Sequence, residues 1–300
     1  QIELRNLEVV LENLYFREDD FRKGTMSSSA LPPELNVSCE ADCDDQTLNE
    51  LLYQAVAASP LNGLARGEHP SLFNLVHNGK EITPAQVASL DAEPFPDPGD
   101  NFPNLKPADG SPAVPDLIKI FEEEGEAYEA LIKARVPSSE LDGDKLLLHM
   151  HSRCVYRPDG VKEIHKEQFG SDVPDWRYLS DEGEGFGGHG KAPDAASLIS
   201  AGIGLCFMTQ MGRYANMAKL PLTNYSIIQD THFSLGGASG RTGEAGVAEA
   251  VETHVYLNTD ADDEIAQQIL AVAEKTCFLH AFCRNDLKPK VRVSKSSRAA

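Results

Sequence analysis

The sequence predicts an α+β fold rather than a doubly wound parallel sheet, and three observations carry that prediction. From Lys145 onward the elements read β-β-α-β-β-α-β. The first two strands are joined by a tight turn, Arg157-Pro158-Asp159-Gly160, which makes them an antiparallel hairpin. Two long helical patterns, Ala195–Lys219 and Asp262–Phe282, stand among the strands instead of following each one in turn.

Bulk properties set the limits. With 300 residues, 41% hydrophobic and 25% charged, the chain can bury a real core. Its formal net charge of -20 argues against nucleic acid and against anionic membrane surfaces, both of which call for Lys/Arg patches. No apolar run approaches the roughly 20 residues of a membrane span, and no signal-peptide pattern opens the chain. The expected location is cytoplasmic. The 6 cysteines are too sparse for a disulfide scaffold of the secreted kind.

Taken in order, Gln1–Thr25 contains ENLYF shortly before Met26, although Arg17 stands where a protease site would need Gln. This segment, 1–25, is set aside as a leader outside the fold. The competing reading is an amphipathic helix, because Leu4, Leu7, Val10, Leu11 and Leu14 recur at helical spacing. Residues 26–144 form an extension to which the sequence assigns no role. It begins as a Ser/Pro-rich acidic arm to Asp44, expected to be poorly ordered, in which Cys39 and Cys43 read as chance neighbours or a surface thiol pair rather than half of a zinc site, since no second pair follows. Gln46–Ala58 is an amphipathic helix, and Ser71–Asn78 is a strand entering an Asn78-Gly79 turn. Seven prolines make 94–115 a linker or surface loop, and Asp116–Ala134 has the apolar spacing of a helix.

The main domain is 145–293, with 294–300 a tail. Lys145–Tyr156 and Val161–Phe169 are the hairpin strands, and a glycine-rich acidic segment, Asp181–Gly190, leads into the helix Ala195–Lys219. Strands follow at Leu222–Leu235 and Ala248–Asn258 around the Gly236–Gly246 loop. The helix Asp262–Phe282 opens on Asp262, Asp263 and Glu264, which suit a helix N-terminus. A short strand, Lys290–Val293, ends the order.

Each long helix carries a cysteine. The first is apolar nearly all round, and its Gly202 and Gly204 each cost about 1 kcal/mol relative to Ala, so they imply close approach of another backbone. Cys206 sits at its middle. In the second helix Leu270, Ala273, Cys277 and the His280/Ala281 turn share one line, which puts Cys277 on the buried face. Periodicity alone favours core packing for both, because a free cysteine behaves as a small hydrophobe and burial makes a thiol inert. Neither lies at a helix N-terminus in this reading, so a reactive Cys206 needs a cation brought to it.

Ala192-Pro193, the A-G-I-G-L-C-F run at Ala201–Phe207 and the A-E-K-T-C-F-L-H run at Ala273–His280 together resemble the OsmC/Ohr family. The same order of hairpin, cysteine helix, two strands, second cysteine helix and final strand surrounds them, over about Lys145–Val293. The resemblance implies an intertwined homodimer of α+β fold, with two long central helices among antiparallel strands and active sites near the dimer interface. It implies a thiol-dependent peroxidase acting on organic hydroperoxides without a cofactor or metal, with Cys206 as peroxidatic thiol and Cys277 as resolving thiol. A small-molecule hydroperoxide and a dithiol reductant would be its partners, and no nucleic acid or membrane. Phe207, Met208 and Phe278 would line the apolar pocket. Arg157, in the turn after the first strand and next to Asp159-Gly160, is the candidate cation for the thiolate, with Arg153 second.

Two positions depart from the family pattern. The glutamate nine or ten residues before the first cysteine is Ser197 or Ala196 here, with Asp194 too early to replace it. The proline after the second cysteine is Phe278. The alternatives are therefore other cysteine chemistry on a sulfur-containing or electrophilic small molecule, or a non-catalytic binding protein with both cysteines in its core.

Other constellations are weaker. His149 and His151 share a strand face and His165 could join them as a metal site, but no fourth ligand is visible and a polar sheet face is the simpler reading. Gly236-Gly237-Ala238-Ser239-Gly240 lacks the Gly-Lys-Ser/Thr of a phosphate loop and reads as a connection.

Overall fold

The computed structural model describes residues 2–19, 23–106, 116–121, 146–169, 174–237 and 243–295, and within them the fold is α+β as the sequence predicts. The chain opens on β1 (Leu4–Glu18), β2 (Ser27–Ala30) and β3 (Glu34–Ala41), then α1 (Asp45–Ala58) and a single helical turn, α2 (Pro60–Gly63). β4 (Ser71–His77), β5 (Lys80–Ile82), β6 (Ala88–Ser89) and β7 (Ile118–Phe121) precede β8 (Leu146–Tyr156), β9 (Lys162–Phe169) and β10 (Asp175–Ser180). Then come α3 (Ala195–Ala218), β11 (Asn224–Ser234), β12 (Val247–Asn258), α4 (Asp263–Thr276), α5 (Phe278–Cys283) and β13 (Lys290–Lys295).

Two sheets organise these elements. The larger runs β13-β3-β1-β8-β9-β10-β7, with β2 beside the end of β1; the smaller runs β11-β12-β4-β5, with β6 beside β4. Pairing is antiparallel except at β13–β3, β12–β4 and β4–β6. Strands from before residue 106 thus pair with strands from after residue 146 in both sheets, and the extension and the main domain share one framework.

Four expectations are corrected. The segment 1–25, set aside as a leader, supplies β1, which is flanked by β3 and β8 with Glu12 opposite both Glu34 and His151. Its apparent helical spacing has a local cause. Asn6 takes a left-handed φ of 49° and the pairing slips between Arg5 and Glu8, which resets the two-residue alternation of the strand. Leu4, Leu7 and Val9 therefore pack on one cluster with Val37, Cys39, Leu48 and Leu52. Second, the arm expected before Asp44 holds β2 and β3, because Pro32 and Pro33 fall in the connection between the strands rather than inside either. Cys39, read as a surface thiol, is buried in that same cluster.

Third, the start of the predicted helix 116–134 is strand β7, with Ile118 opposite Tyr178 and Ile120 opposite Trp176. Its remainder, 122–134, lies outside the described residues. Fourth, the predicted helix 262–282 is broken at Cys277 into α4 and α5. In the proline-rich stretch 94–115, residues up to 106 make two short 3-10 turns, pinned to the smaller sheet where the Ser226 hydroxyl donates to Asp97.

The largest core lies between α3, α4 and the smaller sheet, where Phe73, Leu75, Phe207, Met211, Val255, Ile269 and Leu270 are all sealed from solvent. Each such side chain contributes about 1.5–3 kcal/mol. α3 is long and apolar enough to cross a bilayer by length and composition, and its buried side chains Ile203, Phe207, Met211 and Tyr214 pack into the core. A Cβ at Gly204 would stand 3.1 Å from the Ile227 side chain, and one at Gly212 would stand 2.7 Å from the Tyr225 hydroxyl. The glycines thus admit side chains of β11, where the sequence suggested another backbone.

Candidate active site: two thiols at a broken helix

α3 begins at Asp194, whose carboxylate accepts the Ser197 N–H at 2.6 Å and caps the helix. The loop before it is fixed rather than solvated: the Asp181 carboxylate is buried and accepts the N–H groups of His189 and Lys191, each at 3.0 Å. From this start the helix carries Cys206, half-buried, against α4 and α5.

Cys277 sits at the break. Its backbone is extended, with φ -73° and ψ 121°, so it closes α4 and caps α5 in one residue, its sulfur accepting the His280 N–H at 3.5 Å. Breaking a helix orphans the carbonyls of its last turn, and here they are satisfied. The Arg284 guanidinium donates to the carbonyls of Glu274 (3.3 Å) and Lys275 (3.2 Å), and the Ser28 hydroxyl donates to that of Thr276 at 2.7 Å. Arg284 also donates to the Ser28 carbonyl at 2.7 Å. β2, from the arm expected to lack structure, therefore holds the break in place.

The two sulfurs meet, and their protons separate. The Cys277 thiol and the backbone N–H groups of Phe278 and Leu279 lie near enough to the Cys206 sulfur to favour its ionised form. With the nearby positive charge of Arg213, these donors outweigh burial and bring the Cys206 thiol from 9.0 down to about 7. Cys277 moves the opposite way, well above 9.0, because it is wholly buried and its proton is engaged by Cys206. The arrangement favours a Cys206 thiolate beside a Cys277 thiol. It also corrects the expectation that neither cysteine stands at a helix N-terminus.

Arg157 does not take part. It pairs with Asp159 at 3.0 Å and Glu163 at 3.2 Å, carboxylates of its own hairpin, which hold it at the turn. Arg153 stands in the sheet opposite Val10 and His165. The cation acting on Cys206 is instead Arg213, on α3 itself. Seven residues separate the two, so they share a helix face, and that spacing was readable in the sequence.

Of the expected pocket residues, Phe207 is fully buried behind the thiols, its ring 5.5 Å from Phe73 and 5.1 Å from His280. Met208 is half-buried. Phe278 is buried with its ring 5.5 Å from that of Tyr15, in a cluster against which Cys206 also packs. Two groups close to the thiols escaped the sequence reading. Tyr15 lay in the segment set aside, and His280 was placed on the buried line without a role. The His280 ring is sealed among Phe73 and Phe207, and burial pushes its pKa down to about 3, so it stays neutral.

The histidine strand resolves differently. Glu12 of β1 bridges His149 Nε2 (2.7 Å) and His151 Nδ1 (2.9 Å), while His165 faces Glu163 at 2.7 Å on the neighbouring strand. The three imidazoles do not converge, and among the described residues no His/Cys/Asp/Glu group has the geometry to hold a metal.

Residues 188–292, which carry both cysteine helices of this α+β framework, match the family described as OsmC-like protein, so this part of the chain is an OsmC-like domain. Solved structures similar to the chain include an organic hydroperoxide resistance protein OsmC from Legionella pneumophila, at 20% identity and TM-score 0.34, over 48% of this chain and 94% of that one. An OsmC-like protein from Mycoplasma pneumoniae is similar at 12% identity and TM-score 0.33, over 48% and 94%. Superpositions this loose carry no argument by themselves. No curated protein matches the chain.

Proposed function

We propose that the protein is a cytoplasmic thiol-dependent peroxidase that reduces organic hydroperoxides at Cys206. The observation that carries this reading is the asymmetry of the pair: the Cys277 thiol and the N–H groups of Phe278 and Leu279 favour a Cys206 thiolate while Cys277 keeps its hydrogen. A thiolate held by donors at neutral pH is the nucleophile that peroxide reduction needs.

In the first step the Cys206 thiolate attacks the terminal oxygen of ROOH. The S–O bond forms, the O–O bond breaks, and the electron pair leaves on RO⁻, which takes a proton to give ROH. Sulfur is oxidised to sulfenic acid and the peroxide is reduced. In the second step Cys277, already in contact, attacks the sulfenic sulfur; the disulfide forms and water leaves with the Cys277 proton. An external dithiol then restores both thiols by exchange, becoming a disulfide itself. Carbon groups on the peroxide suit the apolar surroundings of Phe278 and Met208.

The test is one equivalent of cumene hydroperoxide added to the reduced protein, followed by intact mass and peptide mapping. The reading expects a loss of two hydrogen atoms per molecule through a Cys206–Cys277 bridge. A reduced Cys206 after this treatment would contradict it and favour chemistry on another electrophile.

A further inference from the structure

The first strand of the chain puts a hydroxyl among the thiols. β1 runs past the α4–α5 break with Tyr15 opposite Ala30 on one side and Leu148 on the other. Tyr15 is 5% exposed, its ring stands 5.5 Å from Phe278, and Cys206 packs against the cluster that the two rings form with Ala30 and Leu287. The phenol lies within electrostatic reach of Cys206, Cys277 and Cys283. Among the described residues its oxygen makes no hydrogen bond, whereas Ser28, Thr276 and Arg284 at the break are paired; the ring nitrogens of His280 are the other unpaired polar atoms there.

The ring is buried, but the hydroxyl oxygen is not among the sealed, unpartnered polar atoms of the described residues. It therefore stays open to an incoming molecule, as a phenylalanine edge would not be to a hydrogen-bond acceptor. The Cys277 thiol and the N–H groups of Phe278 and Leu279 act on the Cys206 sulfur. A donor for the oxygen that departs when the O–O bond breaks has to come from another group.

We infer that Tyr15 is a catalytic residue of this site, its O–H donating a hydrogen bond to the leaving oxygen of a hydroperoxide bound between Phe278 and Cys206. The inference rests on the peroxidase reading. In the step it serves, the thiolate pair forms the S–O bond, the O–O pair goes to RO⁻, and Tyr15 stabilises that charge until a proton arrives from solvent. Tyr15 itself ends the step protonated. Burial and the three neighbouring sulfurs keep the phenol in its neutral, donating form.

The experiment compares two reactions of the same sulfur in wild type and Tyr15→Phe: oxidation by tert-butyl hydroperoxide, and alkylation by iodoacetamide, which has no leaving oxygen. The ratio of the two rates should fall about 100-fold in Tyr15→Phe, in the range lost when a single oxyanion donor is removed. The fall should be smaller with peracetic acid, whose leaving carboxylate needs less help. An unchanged ratio, or an equal loss with both peroxides, overturns the inference. Should Tyr15→Phe fail to fold, difluorotyrosine at position 15 keeps the shape and makes the donor more acidic; a ratio that does not move with it overturns the inference as well. Wild-type protein that alkylates at Cys206 but resists every hydroperoxide removes the peroxidase reading itself, and this inference with it.

Discussion

Cys206 and Cys283 lie on helices packed about the same tyrosine, yet they ionise at opposite ends of the scale. Cys283 closes α5, is sealed from solvent, and burial pushes its thiol up to about 12. Cys206 is half-buried, yet its thiol falls to about 7, below the ordinary value of 9.0 rather than above it. The difference is the set of donors aimed at the sulfur. Cys206 has the Cys277 S–H and two N–H groups at the start of α5, whereas the sulfur of Cys283 has only the modest help of Arg284. Depth alone therefore does not decide whether a cysteine is a core residue or a nucleophile. The break in the helix at Cys277 decides it, because an unbroken helix would have spent those N–H groups on its own carbonyls.

Substitutions can break this comparison, and the largest effect is expected at Cys206. Cys206→Ala should cut hydroperoxide consumption by at least about 1,000-fold, as loss of a nucleophile does. Cys283→Ala should leave it within about twofold, with a modest stability loss of about 1–2 kcal/mol from the vacated core space. Peroxide consumption and urea midpoints measured side by side check both. Equal losses of activity would mean that burial and not hydrogen bonding sorts the thiols.

Cys277→Ala should separate its two roles. The bridge disappears, Cys206 accumulates as sulfenic or over-oxidised forms, and removal of the largest stabilising hydrogen bond moves the Cys206 midpoint up towards 9.0. Intact mass and a pH series of alkylation rates read these two effects separately. The support under the break comes next. Ser28→Ala leaves the Thr276 carbonyl without its donor and should cost about 1–3 kcal/mol in a urea titration, with slower disulfide closure.

The C-terminal fold was legible because its helices and hairpin follow clean periods that tertiary contacts reinforce. The N-terminal strand was not. The left-handed Asn6 displaces the alternation of β1 by one step, and a resemblance to a protease-site remnant offered an easier explanation. Cys206 and Cys277 could be found from their flanking runs, but the break between them could not: apolar spacing continues unperturbed through Thr276 and Cys277, and the interactions that stop the helix come from Ser28 and Arg284. Arg157 shows the reverse failure. Its place beside Asp159-Gly160 in the first turn suggested the role, but Asp159 and Glu163 lie within reach and pair with it.

Arg213 sharpens the comparison at its weakest point. It is exposed and contributes least among the groups that lower the Cys206 thiol, and solvent screens it. Arg213→Gln should therefore raise the Cys206 midpoint only slightly and slow oxidation at neutral pH by no more than about threefold. That small effect should shrink further in high salt. A large, salt-independent effect would make the arginine, rather than the Cys277 hydrogen bond, the source of the thiolate.

The central claim is that Cys206 is held as a thiolate by donors at the α4–α5 break. Its most direct test is site-resolved alkylation of the reduced protein by iodoacetamide between pH 5 and 10, with each cysteine quantified by peptide mass. A thiolate is the reacting species, so the rate at each site follows its ionised fraction. The account predicts a Cys206 profile that stays near its plateau down to a midpoint of about 7, with Cys277 and Cys283 unreactive across the range. A Cys206 profile that rises only near 9 or above would contradict it.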